Sequence, residues 1–322
     1  MTEIVAVDIG GTHARFAIAT LEGRAVVEIA PEVLLKTADH VDLADAWKAF
    51  AARTGAALPK AAAIAVAGPV GGEVLHLTNH PWTIRPADLP ADLGIDHFRL
   101  VNDFGAVGHA VAQLEGRWFR HLCGPDAPLP DPGAISIVGP GTGLGMATLV
   151  RSADGVQVIE CEGAHADFAP TDALEDRILA RLRRLHGQVS VEHVVSGRGL
   201  AVIRAALAED DGVDAPPMDD ATLWASALGG EDTVASAAFE RFCQCLGSAA
   251  GDVALVQGAQ AVVIAGGLGL RIADRLPTSG FAVRFCAKDR MEARMAAMPV
   301  KTLSYPEPGL FGAAVAFAQT CG

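Results

Sequence analysis

The spacing of apolar residues divides the first third of the chain into short strands and one helix. Five apolar or alternating runs are predicted as strands: residues 4–7, 14–19, 24–29, 62–67 and 98–101. Residues 39–53 are predicted to form a helix, because Leu43, Trp47 and Phe50 recur at helical spacing. Gly55 follows as a stop signal. Strands that alternate with helices indicate a mixed α/β sheet.

The middle of the chain repeats this opening pattern. An apolar strand at residues 135–138, a glycine-rich turn and a second strand at 145–150 follow one another as at the start of the chain. When the two copies are superimposed, Gly11-Thr12 aligns with Gly141-Thr142. An internal duplication is the simplest explanation.

The second half is predicted to be richer in helices. The expected elements are helices at residues 172–185, 231–256 and 309–319, a strand at 262–265, and loops at 124–133 and 210–219. Asp172 and Glu175 have the spacing of a capping box at the start of the first of these helices. A chain of 322 residues exceeds the size at which one hydrophobic core stops growing. Two domains are therefore expected, with a substrate cleft between them.

Composition and charge narrow the class of protein. The chain has 38 acidic against 25 basic residues and a net charge of −13, without a basic cluster, so we expect no nucleic-acid or membrane partner. Six cysteines without a Cys-x-x-Cys pair indicate reduced thiols rather than a disulfide framework or a zinc site. Residues 1–5 lack the pattern of a signal peptide, and the apolar runs are too short to span a bilayer. A cytoplasmic protein is expected.

Glycine turns at strand ends are the first candidate site. They lie at residues 10–12, 139–145 and 266–269. Glycine lets backbone N–H groups approach phosphate oxygens, although such a turn, taken alone, is most often only a tight turn. No lysine lies in these turns, which excludes a Walker-type site. Asp8 precedes the first turn and is placed either to orient a hydrated magnesium ion or to cap the turn.

A second candidate set is polar and dispersed along the chain. Asn102-Asp103 follows a predicted strand, Glu162 to His165 form a turn, and Glu192 precedes Ser196-Gly197. A carboxylate at the strand end, Asp103, suits a catalytic base, and an Asx-turn or helix cap is the alternative. Glu162 and His165, with Asp167 and Cys161 nearby in the chain, form a weaker candidate set of metal ligands.

Seven segments together carry a more specific signal. They are residues 8–15 (DIGGTHAR), 78–82 (TNHPW), 102–104 (NDF), 139–145 (GPGTGLG), 162–170 (EGAHADFAP), 190–197 (SVEHVVSG) and 308–310 (PGL). In this order they resemble bacterial glucokinases over nearly the whole chain. The resemblance implies a duplicated RNase H-like, actin-like ATPase fold of class α/β, with two domains flanking a cleft. It implies a small domain of residues 1–110 completed by a C-terminal helix at 305–322, and a large domain of residues 111–304.

The resemblance also implies an activity, namely transfer of the γ-phosphoryl group of ATP to the 6-hydroxyl of glucose as the first step of glycolysis. Asp103 would be the catalytic base. The residues implied in sugar binding are Asn102, Asp103, Glu162, His165 and Glu192. The residues implied in binding the nucleotide are Asp8, Gly10, Gly11, Thr12, Gly141, Thr142, Gly143, Gly266 and Gly267, with Asp8 also supporting Mg²⁺. A homodimer is also a prediction.

Alternatives and departures stay open at this point. A kinase for another hexose, a non-catalytic sugar sensor of the same fold, and a metal-dependent hydrolase using Asp8, Glu162 and His165 are the competing functions. Related repressors of similar fold add a cysteine-rich zinc motif and a DNA-binding region, which this sequence lacks. His13 and Ala164 depart from the usual asparagine and glycine. Ala164 is expected to affect the turn that aims His165.

Overall fold

The computed structural model describes residues 1–77 and 81–321, so Thr78, Asn79 and His80 of the resemblance motif lie outside the described residues. The chain divides into two compact units. The first unit comprises Met1–Glu115 with Tyr305–Gly322, and the second comprises Gly116–Ser304. Within the described ranges, no helix combines the length and the apolar character needed to cross a membrane.

The first unit contains a sheet covered by helices. Its strands are β1 Thr2–Ile9, β2 His13–Glu22, β3 Ala25–Ile29, β4 Val33–Lys36, β5 Ala61–Val66, β6 Leu75–His76, β7 Thr83–Ile84 and β8 His97–Asn102. Its helices are α1 Leu43–Thr54, α2 Leu89–Leu93, α3 Asp103–Gln113 and the last helix of the chain, α11 Pro308–Cys321. The sheet order is β3-β2-β1-β5-β8, and β4 pairs with β2. Strands β1, β2 and β3 are antiparallel, whereas β1, β5 and β8 are parallel.

The alternation of side chains along β5 explains why this sheet is covered on both faces. Every residue of the strand is buried. Ala63 and Ala65 face a core cluster that includes α11, whereas Ala62 and Ile64 face a cluster that includes Trp47 of α1. A strand buried on both faces reads as a continuous apolar run, which is the pattern at residues 61–66.

The second unit contains the other large sheet and most of the helices. Its strands are β9 Phe119–Cys123, β10 Gly133–Pro140, β11 Leu144–Ser152, β12 Gly155–Cys161, β13 Ala261–Ile264 and β14 Val300–Leu303. Its helices are α4 Ala173–His186, α5 Gly199–Asp211, α6 Asp220–Gly229, α7 Thr233–Val256, α8 Gly266–Ile272, α9 Phe281–Cys286 and α10 Glu292–Ala296. The sheet order is β12-β11-β10-β13-β14-β9.

The two sheets share one topology, which confirms the predicted duplication. In the second sheet, β10, β11 and β12 are antiparallel, and β10, β13 and β14 are parallel. This arrangement matches β1-β2-β3 and β1-β5-β8 of the first sheet. Each predicted hairpin turn, at residues 10–12 and 141–143, therefore connects the first two strands of its sheet.

One helix starts later than predicted, and one predicted capping box is only half formed. The helix predicted from residue 39 begins at Leu43, because the Asp42 carboxylate accepts a hydrogen bond of 2.8 Å from the Asp45 N–H. Asp172 caps α4 as predicted, by accepting from the Glu175 N–H. The reciprocal half of the capping box was wrong, since Glu175 turns inward and is 1% exposed. Its carboxylate contacts Thr171 and two arginines instead.

Candidate active site

Asp8 lies at the end of β1, directly before the first glycine turn, and pairs in register with Arg15 of β2. Gly309, in the first turn of α11, approaches its carboxylate closely. A Cβ atom at residue 309 would lie 2.7 Å from Asp8 Oδ2, so only glycine allows this approach. The fold thereby brings the last helix of the chain onto the carboxylate near the end of the first strand.

The surroundings of Asp8 disfavour its negative charge. The pKa of Asp8 is raised from 3.8 to about 7. Burial raises it most, Arg15 lowers it, and the nearby charges of Asp103, Glu307 and Glu32 add to the rise. Arg15 is itself shared, because its Nε lies 2.8 Å from Glu307 Oε2 and 3.4 Å from Glu32 Oε2. Acidic groups thus outnumber the cation, and a bound cation would be stabilised here.

Asp8 fits the donor chemistry of magnesium. Among the described residues, no group of three or more His, Cys, Asp and Glu side chains is arranged to hold a metal ion. Mg²⁺ is commonly held by one or two carboxylates while phosphate oxygens and water complete its shell. A single carboxylate beside a candidate phosphate-binding turn therefore matches a magnesium–nucleotide complex better than a metal held by the protein alone.

Asn102 and Asp103 occupy the end of β8 and the start of α3. Asn102 is 8% exposed, and its Oδ1 accepts hydrogen bonds of 2.9 Å and 3.0 Å from the N–H groups of Phe104 and Gly105. Its Nδ2 donates to the Gly68 carbonyl at 3.1 Å. Asn102 is thus the N-cap of α3, a role that sequence reasoning had considered only for Asp103. A contact of Asn102 with sugar stays a prediction.

Asp103 is partly exposed in the first turn of α3, where the helix dipole favours a carboxylate. Its Oδ1 lies 2.8 Å from the Phe104 nitrogen, which donates to it. Its charge also acts on Asp8, since it contributes to the raised pKa of that residue. Asp8 and Asp103, predicted from separate motifs, are therefore neighbours in the first unit.

The first glycine turn is exposed at Gly11 and Thr12 and held by its own backbone. The Gly10 N–H donates to the His13 carbonyl at 2.9 Å. From outside the turn, the Thr37 N–H donates to the Thr12 carbonyl at 3.0 Å and its Oγ1 donates to the Gly11 carbonyl at 3.3 Å. The turn is therefore fixed while its tip stays accessible.

The glycine turns of the second unit lie side by side. The Gly141 N–H donates to the Gly143 carbonyl at 2.8 Å, and the Gly197 N–H donates to the Gly141 carbonyl at 2.8 Å. Gly266 starts α8 with φ of +78°, and a Cβ there would lie 2.9 Å from the Pro140 carbonyl. The two predicted nucleotide segments of this unit, from distant parts of the sequence, are thus brought into contact.

The Glu192 side chain is hydrogen-bonded to the end of the hairpin turn at residues 141–143. Its Oε2 accepts a hydrogen bond of 2.8 Å from the Leu144 N–H. A Cβ atom on Gly143 would overlap the same carboxylate, so glycine is required there. Because nothing in the local sequence links residues 143 and 192, sequence reasoning missed this contact. A predicted sugar residue and a predicted phosphate turn therefore share one hydrogen bond.

His193 holds the turn that carries Glu192. Its Nδ1 accepts from the Ser190 N–H at 3.1 Å and lies 2.8 Å from Ser190 Oγ. Because a backbone N–H can only donate, Nδ1 is unprotonated in this arrangement. Sequence reasoning did not assign this role to His193, although a serine three residues before it is a capping signal.

Glu162 precedes a short 3₁₀ turn, His165 ends it, and both side chains are exposed to solvent. Their side chains are 60% and 62% exposed, and His165 Nε2 lies 3.9 Å from Glu162 Oε2. Ala164 between them is 2% exposed within the core, so its methyl group fills buried space. The usual glycine at this position would leave that space empty.

Two backbone hydrogen bonds connect the Glu162 loop to the Glu192 segment. The Val191 N–H donates to the Ala166 carbonyl, and the Phe168 N–H donates to the Val189 carbonyl, each at 2.9 Å. The predicted sugar residues of this unit therefore lie on two joined segments. The weaker metal-ligand hypothesis has no support among the described residues, where Asp167 Oδ1 accepts instead from Gln188 Nε2 at 2.9 Å.

Comparison with known proteins agrees with this geometry. The glucokinase family model matches residues 5–320. The chain is 55% identical to a glucokinase of Zymomonas mobilis subsp. mobilis over 317 residues, which cover 98% of each chain. It is 38% identical to a glucokinase of Paramagnetospirillum magneticum over 320 residues, 98% of this chain and 97% of that one.

A solved structure also matches over the full length. The crystal structure of a glucokinase from an Antarctic psychrotroph superimposes with a TM-score of 0.84 at 33% identity, covering 98% of both chains. The predicted actin-like ATPase fold is thereby confirmed. The chain belongs to the glucokinase family, enzymes that phosphorylate glucose at the expense of ATP.

Proposed function

We propose that this member of the glucokinase family transfers the γ-phosphoryl group of ATP to the 6-hydroxyl of glucose, with Asp103 as the catalytic base. The observation that carries this assignment is the placement of Asp103. Its carboxylate lies partly exposed at the start of α3, next to Asp8 and its candidate magnesium site. A base beside the position of the phosphate is what attack by a hydroxyl oxygen requires.

Phosphoryl transfer depends mainly on the positioning of the two substrates and on the neutralisation of charge on the phosphate. Phosphoryl transfer passes through a loose transition state with little covalent work for the protein. Asp103 accepts the proton of the 6-hydroxyl as the oxygen bonds to phosphorus and the bond to ADP breaks. When bound, Mg²⁺ held by Asp8 neutralises charge on the phosphate oxygens.

The sugar is assigned to five polar residues. Besides Asp103, they are Asn102, Glu162, His165 and Glu192. The carboxylates accept hydrogen bonds from ring hydroxyls, and the exposed pair Glu162 and His165 supplies an acceptor beside a ring nitrogen that can donate. A site built to pair hydroxyls discriminates strongly against sugars that lack them.

The nucleotide is assigned to the glycine turns. Gly10, Gly11 and Thr12 of the first unit, and Gly141, Thr142 and Gly143 of the second, offer N–H and hydroxyl donors to phosphate oxygens. Gly266 and Gly267 are assigned to the adenosine side. The exposure of Thr12 and Thr142 supports this proposal, because their hydroxyls are accessible to a ligand.

Substitution of Asp103 tests the proposal. Asp103→Asn preserves shape but cannot take a proton, so kcat should fall by roughly 10²- to 10⁴-fold while the Kd for glucose changes little. Asp42→Asn is the matched control, because Asp42 is also a carboxylate at the N-terminal end of a helix of the first unit but lies outside the proposed site. Formation of glucose 6-phosphate is measured by a coupled assay, and glucose binding by calorimetry. A kcat of Asp103→Asn close to that of the wild type would remove Asp103 from this role.

A homodimer and a cytoplasmic location stay predictions from the sequence. Light scattering of the purified protein measures its mass against the 33.2 kDa of one chain.

A further inference from the structure

Glu175 is a buried carboxylate with an unusually complete set of donors. It lies in the first turn of α4 and is 1% exposed. Arg284 Nη2 donates to its two oxygens at 2.6 Å and 2.9 Å, and Arg241 Nη1 donates at 3.0 Å. The N–H and Oγ1 of Thr171 donate to Oε2 at 2.8 Å and 2.9 Å. The Cys245 thiol adds a contact of 3.5 Å.

These donors come from three separate parts of the second unit. Arg241 and Cys245 belong to the long helix α7, and Arg284 belongs to α9. Thr171 is the last residue before the cap of α4 and ends the loop that begins at Glu162. Glu175 therefore ties the end of this loop to two helices of the core.

The same helix connects the two segments assigned to the sugar. The loop with Glu162 and His165 precedes α4, whereas the turn with Glu192 follows it. The two segments are joined by the backbone hydrogen bonds between residues 166 and 191 and between 168 and 189. A shift at the start of α4 would move both together.

Stability alone does not explain such a group. Removing a carboxylate and two arginines from water is expensive, and well-packed apolar residues stabilise a core at least as well. What charge-assisted hydrogen bonds from two arginines add is a fixed direction and distance for the carboxylate. Asp172, bonded to Arg241 and 3.7 Å from Arg284 Nη1, extends the same arrangement to the helix cap.

We propose that Glu175, through Arg241, Arg284 and Thr171, is a positioning residue for the sugar. It sets the place of Glu162, His165 and Glu192 without touching glucose. The inference rests on the proposed roles of these three residues. Removing contacts of Glu175 should therefore weaken glucose binding while leaving the affinity for the nucleotide and the rate of the chemical step nearly unchanged.

Two variants and two controls test this. Thr171→Val removes one hydrogen bond to Glu175 and keeps the backbone N–H, and Glu175→Gln removes the charge. Thr222→Val is the control for the first, since its hydroxyl donates to the exposed cap Asp219. Arg204→Met is the control for the second, because Arg204 is a buried arginine of the same unit that pairs with Asp232 and not with Glu175.

We expect the two variants to weaken glucose binding and to leave the KM for ATP nearly unchanged. Thr171→Val should raise the KM and Kd for glucose about threefold to tenfold, and Glu175→Gln more than tenfold, with the KM for ATP and kcat within about twofold. Both controls should keep the glucose KM, although Arg204→Met lowers Tm. An unchanged glucose KM in Thr171→Val, or equal effects of Glu175→Gln and Arg204→Met on it, would overturn the inference and leave Glu175 a structural residue.

The proposed function fails on a different observation. If the wild-type protein shows no glucose-dependent turnover of ATP, the assigned activity is wrong before any variant is compared. If Glu175→Gln does not fold, Thr171→Val alone decides, because it keeps the charge of Glu175 and its other donors.

Discussion

Replacing Asp8 with asparagine should stabilise the ligand-free protein above neutral pH while abolishing its activity. The fold holds this carboxylate where burial and three neighbouring acids disfavour its charge. Asparagine keeps the shape and removes the charge. Arg15 keeps its partners Glu307 and Glu32 in the variant, so no buried cation is left unpaired.

The size of the effect follows from the pKa shift of Asp8. Its pKa is 3.8 when unperturbed and about 7 in the fold. Between these two pH values, the folded state therefore keeps a proton that the unfolded state has lost. Stability therefore falls as pH rises from about 4 to about 7, and stays reduced above that. At about 1.36 kcal/mol for each tenfold difference, the full penalty is about 4 kcal/mol at pH 8 and about 1.5 kcal/mol at pH 5.

Urea unfolding of both proteins at the two pH values, with EDTA and without substrates, measures this penalty. The stability of Asp8→Asn relative to the wild type should increase by about 2.5 kcal/mol between pH 5 and pH 8. Added Mg²⁺ and ATP should stabilise the wild type and not the variant, since only the carboxylate can support the metal. A difference between the proteins that is independent of pH would mean that Asp8 titrates normally and would refute the reasoning.

Two glycine substitutions test the close approaches on which the site depends. Gly143→Ala places a Cβ atom onto the Glu192 carboxylate and should raise the glucose KM about tenfold or more, whereas Gly229→Ala, which meets open space, should not. An unaltered glucose KM in Gly143→Ala would show that Glu192 is not required at that position. Gly309→Ala crowds the Asp8 carboxylate and should lower kcat/KM for ATP at least tenfold, with Gly71→Ala as the open-space control. Wild-type kinetics for Gly309→Ala would contradict the role of Asp8.

Sequence reasoning predicted the central strands of both large sheets and the duplication, because both rest on local patterns. The buried run at residues 61–66 and the paired hairpins at Gly11-Thr12 and Gly141-Thr142 are readable without long-range contacts. Strands β4, β9, β12 and β14 were missed, since they are short or, in β12, largely exposed. Helices α5 and α6 were missed because they are only weakly amphipathic.

The arrangement of the site was less predictable, because it depends on contacts across the sequence. The residues near Asp8 come from positions 15, 32, 103, 307 and 309. Glu175 carried only a capping signal, and that signal pointed to the wrong partner. The Glu192 carboxylate meets Leu144, which lies 48 residues away in the chain. A side chain that forms such contacts looks, in sequence, like any other charged residue near a turn.

Initial rates of the purified wild-type protein with ATP, Mg²⁺ and a panel of hexoses test the central claim most directly. We predict glucose-dependent formation of glucose 6-phosphate and ADP in equal amounts, a lower kcat/KM for mannose and glucosamine, and negligible ATP hydrolysis without sugar. Release of phosphate without sugar, or a preference for another hexose over glucose, would contradict the assignment.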